Sequence, residues 1–394
     1  MRHPGIKSDS PGSNRVIIAL MGLSLLALLG LPLASSQPNR IVPGEGVFLW
    51  EMVGWVGALG IALPWLAAVG LAVRPTRGRS WAVLGFVVLI LISVPWGLAA
   101  FCLAYVDLEQ PYARGGIGAG TWVVLFLTGL CLVELRSRLS LSRRHIVSIL
   151  ALTLIAWATA LSSGWLEPLA LVREYASRSD QFLAAVLYHL ALVGAAVAIS
   201  LVIGFSLALA LRHSERLRTP VFGVLSVIQT IPSLALFGLL LAPLAWLSSR
   251  YEWLSDLGVQ GIGWAPALIA LVGYSLLPMT RNAYVALEGV PAVVIESARG
   301  MGMGPGHIFF QVRLPLALPV LLEAIRITTI QAIGLAAVAA LIGAGGLGTF
   351  IFQGLGQSAM DLIVLGALPI LVMALIADAA FSALASHFRQ GGRP

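Results

Sequence analysis

The chain has 394 residues and a formal net charge of +7, and 59% of its residues are hydrophobic whereas only 10% are charged. Soluble globular proteins carry about a quarter charged residues, so this composition excludes an ordinary soluble protein. Apolar stretches of about 20 residues, the length that a helix needs to cross the hydrocarbon core, recur along the chain. The sequence therefore predicts an all-α polytopic membrane protein.

Ten segments are predicted to be transmembrane helices, joined by connections that hold most of the Pro, Gly, Ser and charged residues. In chain order they lie near residues 16–35, 48–73, 80–104, 117–135, 145–167, 187–211, 219–247, 263–281, 318–343 and 360–386. The first segment is long enough to span, so we interpret it as an uncleaved anchor rather than as a signal peptide.

The distribution of basic residues predicts the orientation. If the amino terminus lies in the cytoplasm, nineteen Lys and Arg residues fall on the cytoplasmic side and five on the outer side. The protein is therefore expected in a bacterial inner membrane, with both termini on the cytoplasmic side. The basic residues are grouped in separate short loops. Contacts between these groups and anionic lipid headgroups explain the net charge without a nucleic-acid partner.

The chain is predicted to divide at a periplasmic connecting segment, residues 168–186. Residues 1–167 are expected to form an N-terminal membrane module of about five spans, and residues 187–390 a second group of five. Eight of the eleven tryptophans precede the connecting segment, whereas the recognisable motifs follow it. No internal repeat relates the two parts, so a secondary transporter built from inverted repeats gains no support.

The seventh predicted span contains a polar interruption. It is formed by Gln229, Thr230, Pro232 and Ser233. A proline in mid-span leaves one helical carbonyl without its N–H donor, which is tolerated where water or neighbouring groups satisfy that carbonyl. These residues are therefore candidates for lining a polar path, and helix packing through small polar side chains is the alternative. Further path candidates in the eighth and ninth spans are Tyr274, Thr328 and Gln331.

The last two spans carry charged residues. Glu323 and Arg326 are three residues apart on the ninth span. Because a lone charge at the centre of a bilayer costs at least about 3 kcal/mol, we expect these two side chains to pair. Asp378, in the tenth span, has no evident partner in the sequence.

The sequence contains no recognisable constellation for catalysis or for metal binding. Lys7 is the only lysine, whereas a P-loop needs a lysine after its glycine-rich turn to contact the phosphates. The six histidines and two cysteines form no cluster with metal-ligand spacing. We therefore expect no enzymatic activity and no cofactor in this chain.

A glycine-rich segment follows the ninth span. Its glycines, which match the spacing GxGxxG, are Gly343, Gly345, Gly346 and Gly348. A dinucleotide site would need a preceding strand and a following amphipathic helix, whereas an apolar span precedes this segment. We expect a turn on the outer side, where glycine lets the backbone bend sharply and pack closely.

The most specific motif lies between the eighth and ninth spans. It begins with Glu296-Ser297-Ala298, continues three residues later with Gly302, and ends nine residues further on with Val312-Arg313-Leu314-Pro315. This pattern resembles the loop E-A-A-x3-G-x9-I-x-L-P of ABC importer permeases, with a serine and a valine as mild departures. The resemblance implies that residues 288–315 couple the chain to an ATPase subunit through Glu296, Ser297, Ala298, Gly302, Val312, Leu314 and Pro315.

The local sequence around this motif predicts a short surface helix from Pro291 to Met301. Val294, Ala298 and Met301 would share one face of it, because they are spaced at i, i+4 and i+7. The glycines and Pro305 in residues 302–306 are expected to end the helix and turn the chain. Leu314-Pro315 is expected to break the chain before the next span.

Two segments indicate which group of ABC importer permeases the chain resembles most. The stretch Gln229-Thr230-Ile231-Pro232-Ser233 and the glycine-rich segment are similar to those of permeases for glycine betaine, choline and related osmoprotectants, over roughly residues 185–390. The second half would thus form a MetI-like permease core, and the extra N-terminal spans resemble those of the long osmoprotectant permeases. The glycine-rich segment is also similar to methionine permeases, so an amino-acid permease is one alternative. An ion-coupled secondary transporter is another.

The resemblance also implies partners. A dimer of ATPase subunits would bind the ATP, and a second copy of this chain or a paralogous permease would complete the path. A periplasmic or lipid-anchored binding protein would deliver the solute.

Overall fold

The computed structural model describes residues 13–390 apart from positions 41, 43, 108 and 111. The predicted cytoplasmic termini and Lys7 therefore lie outside the described residues. The chain divides into two compact units, one that ends at Ser177 and one that begins at Arg178.

The first unit combines long helices with a small sheet. Its helices are α1 (Arg15–Gly30), α2 (Leu49–Val73), α3 (Arg77–Tyr105), α4 (Ala119–Leu139), α5 (Arg143–Ser162) and α6 (Ala170–Ala176). Its strands are β1 (Ala34–Gln37), β2 (Glu45–Val47) and β3 (Arg114–Ile117). They form an antiparallel sheet in the order β2-β1-β3, in which Ala34 pairs with both Val47 and Ile117. This sheet was not predicted, because strands of three or four residues show too little alternation to be recognised in the sequence.

Close backbone contacts and buried ion pairs hold the sheet against the helices. The N–H of Gly118 donates to the Leu33 carbonyl at 2.9 Å, and a Cβ at Gly118 would lie 2.3 Å from the Pro32 carbonyl oxygen. On α6, the buried carboxylate of Glu174 lies 3.0 Å from Nε of Arg40 and 2.9 Å from Nη1 of Arg114. The sheet and α6 thus close one end of the first unit.

The second unit is helical in its described residues. Its helices are α7 (Ser179–His213), α8 (Glu215–Thr230), α9 (Ser233–Arg250), α10 (Glu252–Asp256), α11 (Trp264–Glu288), α12 (Ala292–Gly300), α13 (Pro305–His307), α14 (Leu314–Val338), α15 (Gly348–Gly356) and α16 (Met360–Gln390). A π-helical turn, Ile308–Arg313, joins α13 to α14, and a 3₁₀ turn, Ala339–Ile342, follows α14.

Small residues lie where the helices of the second unit cross. Helix α11 packs against α7 and α14, and α14 also packs against α16. Ala196, Ala267 and Ala332 are buried in this core. Small side chains let helix backbones approach closely in a membrane, where packing rather than the hydrophobic effect drives association.

The prediction of a polytopic α-helical membrane protein is confirmed. Among the described residues, eight helical segments are long and apolar enough to cross a membrane: Leu49–Val73, Arg77–Tyr105, Ala119–Leu139, Arg143–Ser162, Ser179–His213, Ser233–Arg250, Pro305–Ile342 and Met360–Phe388. Helix α1 is apolar but has only 16 residues, so it is shorter than these eight segments. Helix α11 is not among the eight.

Two details of the predicted layout are wrong. The seventh span, expected as one helix over 219–247, is broken between α8 and α9, because Pro232 has no N–H to continue the helix and adopts a non-helical conformation. The connecting segment 168–186 is also not a loop, since it contains α6 and the start of α7. The boundary between the two compact units falls inside it, after Ser177.

Candidate functional site

The candidate coupling loop is organised around α12, which begins after Pro291 and ends at Gly300, as expected for the surface helix. Ile295 and Ala298 are buried. They belong to one apolar cluster with Leu287 at the end of α11 and Ile308 in the π-helical turn. Helix α12 is therefore anchored to the two long helices that it connects.

The buried face of α12 is formed by Ile295 and Ala298. Val294 and Met301 are 37% and 75% exposed, whereas Ala298 is buried with Ile295. Ile295 and Ala298, which are three residues apart, face inward because they pack in the apolar cluster beneath the helix. Val293, Val294, Glu296 and Met301 are left on the surface, as an apolar patch with one acid. Such a patch is typical of a surface that meets a partner.

Gly302 follows helix α12 and ends it in a left-handed conformation, with φ of +82°. Its N–H donates to the Arg299 carbonyl at 2.9 Å, and the N–H of Met303 donates to the Ala298 carbonyl at 3.1 Å. These two bonds form a Schellman cap, which satisfies the last carbonyls of the helix. No atom lies within 4 Å of a Cβ built at Gly302, so the backbone conformation alone explains the glycine.

The serine in the motif is compatible with its helical position. The Ser297 hydroxyl donates to the Val293 carbonyl at 2.8 Å. The polar group that replaces an alanine of the family pattern is thereby satisfied within the helix itself.

The expected break at Leu314-Pro315 is absent. The N–H of Leu314 instead donates to the Phe309 carbonyl, five residues earlier, in the π-helical turn. Pro315, which has no N–H, lies in the first turn of α14, where a helix tolerates proline. Val312 and Leu314 pack against the same cluster as Ile295, so the second part of the motif supports α12 from below.

A basic groove lies beside α12. It has a volume of about 450 Å³ and is lined by Arg212, Ile295, Arg299, Gly302, Met303, Pro305, Ile308, Phe309 and Arg313. Glu288 lies 2.9 Å from Nε of Arg212 and 3.6 Å from Nη1 of Arg313. Glu288 therefore pairs with two of the three arginines that line this arginine groove, and the groove keeps an excess of positive charge. The sequence analysis used these arginines only to assign orientation, because α7, α11 and the loop come together only in the fold.

The interruption between α8 and α9 brings together some of the predicted path residues. The Tyr274 hydroxyl donates to the Ile231 carbonyl. The Gln229 amide donates in turn to the Tyr274 carbonyl at 3.5 Å. A side chain from α11 thus satisfies a backbone carbonyl at the interruption, while Pro232 and Ser233 start α9. The Thr230 hydroxyl donates to Val227 in its own helix at 2.8 Å.

The other two path candidates lie on a different helix. Thr328 and Gln331 lie three residues apart on α14, and Thr328 is fully buried. None of the hydrogen bonds between described residues joins either side chain to Gln229 or Tyr274.

The charged residues of the last spans form one network. Glu323 and Arg326 form the expected ion pair, with Oε2 and Nε 2.9 Å apart. The structure supplies the partner of Asp378 that was not evident in the sequence: Nη1 of Arg326 donates to its Oδ1 at 3.1 Å and also to the Ser382 hydroxyl at 2.8 Å. The partner was not evident in the sequence because 52 residues separate the two positions.

The glycine-rich segment forms a compact turn after the 3₁₀ helix. Gly343, Gly345 and Gly346 have positive φ angles, of 77°, 75° and 77°. At Gly348 a Cβ would lie 1.9 Å from the Ala337 carbonyl oxygen, so this position needs glycine for close packing. The N–H of Gly263 donates to the Ile342 carbonyl at 2.8 Å and ties the start of α11 to this turn.

Comparison with known proteins places this geometry in a family. Residues 200–390 match the family described as "Binding-protein-dependent transport system inner membrane component". Over 190 residues, the chain is 39% identical to the osmoprotectant import permease protein OsmW of Salmonella typhimurium, an alignment that covers 48% of this chain and 83% of that protein. The chain belongs to this family of inner-membrane permeases.

Other relatives are permeases as well. The carnitine transport permease protein OpuCB of Listeria monocytogenes is 34% identical over 215 residues, which cover 55% of this chain and 91% of that protein. The choline transport system permease protein OpuBB of Bacillus subtilis is 35% identical over 190 residues, which cover 48% and 80%. Residues 14–172 separately match the family described as "ABC transporter permease YehY, N-terminal domain".

Membership in this family makes the chain an integral membrane component of an ABC transport system. Permeases of this family are transport subunits, and they work with an ATPase and with a binding protein. The chain therefore combines a permease core with an additional N-terminal domain.

Proposed function

We propose that this permease forms the translocation path for an osmoprotectant such as glycine betaine or choline, delivered by a separate binding protein and driven by ATP hydrolysis on a partner subunit. The observation that carries the proposal is the capped helix α12, held by the two long helices on either side of it. The relatives named for osmoprotectants, carnitine and choline support the choice of solute.

In this proposal the coupling loop and both termini lie in the cytoplasm. The exposed residues Val293, Glu296 and Met301 of α12 insert into a groove of the ATPase. Ile295 and Ala298 transmit the movement, because they pack against Leu287 and Ile308, where α11 ends and the helix towards α14 begins. An ATPase that binds here should present acidic side chains to the arginine groove, since opposite charges align an interface and exclude incorrect partners.

The translocation path requires a second permease chain, either another copy or a paralogue. We propose that the interruption between α8 and α9, with Gln229, Thr230 and Ser233, faces this path. An unwound segment inside a membrane is tolerated where it lines a water-filled cavity or is buried in protein. The glycine-rich turn would lie on the opposite side of the membrane, where the binding protein docks.

Copurification in mild detergent from the native membrane tests the proposal. We expect the tagged permease to retain an ATPase with a P-loop, and a binding protein to be identified with it by mass spectrometry. Vesicles that contain the complex and enclose ATP should then accumulate glycine betaine or choline when the loaded binding protein is added outside.

Three other outcomes would point elsewhere. A binding protein that holds methionine but neither betaine nor choline would retain the importer and change its solute. Uptake by the permease alone under an ion gradient, without any ATPase, would indicate a secondary transporter. A complex that hydrolyses ATP but leaves all these solutes outside would refute the proposed cargo.

A further inference from the structure

The first unit contains an apolar cavity of about 370 Å³ among α1, α2, α3 and α4, beside the β-sheet. Residues of these four helices and of the sheet line it, among them Trp65, Leu98 and Phe101. The volume lies within the range of about 300–1,000 Å³ that is typical of small-molecule sites. This space is therefore larger than a packing defect and is large enough to hold a ligand.

The lining offers no free polar side chain. The Ser93 hydroxyl donates to the Ile90 carbonyl at 2.9 Å, and the Thr121 hydroxyl donates to the Leu33 carbonyl at 2.7 Å. The indole N–H of Trp65 donates to the Ser24 hydroxyl at 2.8 Å, away from the cavity lining. A polar solute would lose its hydration here without gaining hydrogen bonds from these side chains. The chemistry of the cavity therefore selects a hydrocarbon.

One side of the cavity opens to the surface of the membrane-spanning helices. Val53 and Ile61 of α2 are 44% and 40% exposed, whereas Trp65 and Leu98 on the floor are 4% exposed. Between the two exposed residues, Gly54 adopts φ of +69° and interrupts the helix. The opening lies on candidate spans, so the medium that it meets is the bilayer rather than water.

Aromatic residues mark the depth of this opening. Phe48 and Trp50 stack with ring centroids 4.6 Å apart, and Trp50 and Trp55 stack at 5.1 Å. Such rings collect at the boundary between headgroups and hydrocarbon. The cavity, which extends from Leu49 to Trp65 along α2, thus begins at that boundary and continues towards the bilayer centre.

We propose that the N-terminal module binds one acyl chain of a membrane phospholipid in this cavity. The chain enters between Val53 and Ile61 and lies against Trp65, Leu98 and Phe101. An empty cavity of this size would leave its lining atoms without dispersion contacts, and an acyl chain from the adjacent leaflet restores them.

Gly97 offers a way to fill the cavity without disturbing the helix. It lies in α3 and lines the cavity, and no atom lies within 4 Å of a Cβ built there. The variant Gly97→Leu therefore projects a side chain into the space, and leucine is a better helix former than glycine. Gly85→Leu is the matched control, because Gly85 lies in the same helix, has equally open space and does not line the cavity.

Photolabelling of the full-length chain tests the proposal without any transport assay. The protein is placed in vesicles of phosphatidylethanolamine and phosphatidylglycerol, in which some lipids carry a diazirine on one acyl chain. After illumination, we expect lipid adducts on the buried residues Trp65 and Leu98, in addition to adducts on the exposed residues Leu59 and Leu63. The Gly97→Leu variant should lose the buried adducts and keep the exposed ones, whereas Gly85→Leu should keep both.

The exposed adducts show whether each variant is correctly inserted. Adducts confined to Leu59 and Leu63 in the unmodified protein would overturn the proposal, because a helix of another chain or nothing at all would then occupy the cavity. Buried adducts that persist in Gly97→Leu would overturn it as well. Since neither result depends on solute or ATPase, this proposal and the proposed function can fail separately.

Discussion

Gly302 shows how a single residue shapes the coupling loop. Its positive φ allows two capping bonds that end α12 and direct the chain back towards the π-helical turn. Only glycine adopts this conformation readily, because a Cβ would approach the backbone carbonyl in the left-handed region. The glycine of the motif is thus explained by backbone geometry, independently of any partner.

Replacing Gly302 should weaken coupling. The left-handed conformation costs a residue with a Cβ roughly 1–2 kcal/mol, so Gly302→Ala should fray the end of α12 and lower ATP-driven uptake. A bulky acid, Gly302→Glu, should abolish uptake while membrane insertion stays normal. Uptake by vesicles that contain the assembled complex is the measurement.

Gly300→Ala is the control for this prediction. Gly300 is the last residue of α12, and no atom lies within 4 Å of its Cβ position. Alanine is the better helix former there, so uptake should be unchanged or slightly higher. Equal losses in Gly300→Ala and Gly302→Ala would contradict the role of the cap.

Tyr274 stabilises the backbone at the interruption between α8 and α9. Its hydroxyl satisfies the Ile231 carbonyl, and Tyr274→Phe removes that donor. A hydrogen bond of this kind contributes about 0.5–1.5 kcal/mol net, so we expect a lower melting temperature in detergent and slower uptake.

Tyr284→Phe is the corresponding control on the same helix. Its ring lies 4.9 Å from the Arg218 guanidinium, and this contact does not need the hydroxyl. The stability of this control should match that of the unmodified protein. If both variants were equally stable, the Tyr274 hydroxyl would have no supporting role.

At the scale of elements, charges inside the membrane join α14 to α16. Arg326 on α14 lies between Glu323 of its own helix and Asp378 of α16. Charged side chains within spans are expensive unless they are paired or face water or protein. Because Asp378 is 49% exposed in the isolated chain, we expect water or another chain to cover it in the assembled complex.

The arginine should matter more than either acid. Arg326→Leu removes the counter-ion that Glu323 and Asp378 share within the spans, so it should lower stability more than the loss of one acid does. Asp378→Asn should cost less, because Glu323 still neutralises the arginine. Thermal unfolding followed by size-exclusion chromatography in detergent compares the two variants, and a larger loss in Asp378→Asn would contradict the network.

At the scale of the whole molecule, the two units have separate counterparts among known proteins. The permease family matches residues 200–390, within the second unit, and 190 residues of this chain cover 83% of OsmW. The N-terminal domain has its own family, over residues 14–172. These boundaries are consistent with the two compact units on either side of Ser177–Arg178.

A truncated chain should therefore retain the permease core. We expect residues 178–394 to insert into the membrane and to copurify with the ATPase, because α12 and its supporting cluster lie wholly within them. Residues 1–177 alone should insert without the ATPase. Copurification of the ATPase with the shorter N-terminal fragment, and not with the core, would refute this division of roles.

Features that depend on neighbouring residues were predictable from the sequence. The apolar length of most spans, the surface helix near Ala292–Gly300 and the turn at Gly302 each have a local signature, such as span length or a capping glycine. The family motif was recognisable because its spacing covers only about twenty residues of continuous chain. The membrane class and the position of the candidate coupling loop were therefore determined by the sequence alone.

Contacts between distant residues were decided only by the tertiary structure. The partner of Asp378 is 52 residues away, and the donor for the Ile231 carbonyl comes from a different helix, 43 residues further along. The buried face of α12, the arginine groove and the apolar cavity likewise depend on which helices meet. In a chain whose spans are apolar on every side, periodicity does not distinguish the face that packs from the face that meets lipid, so packing alone decides these features.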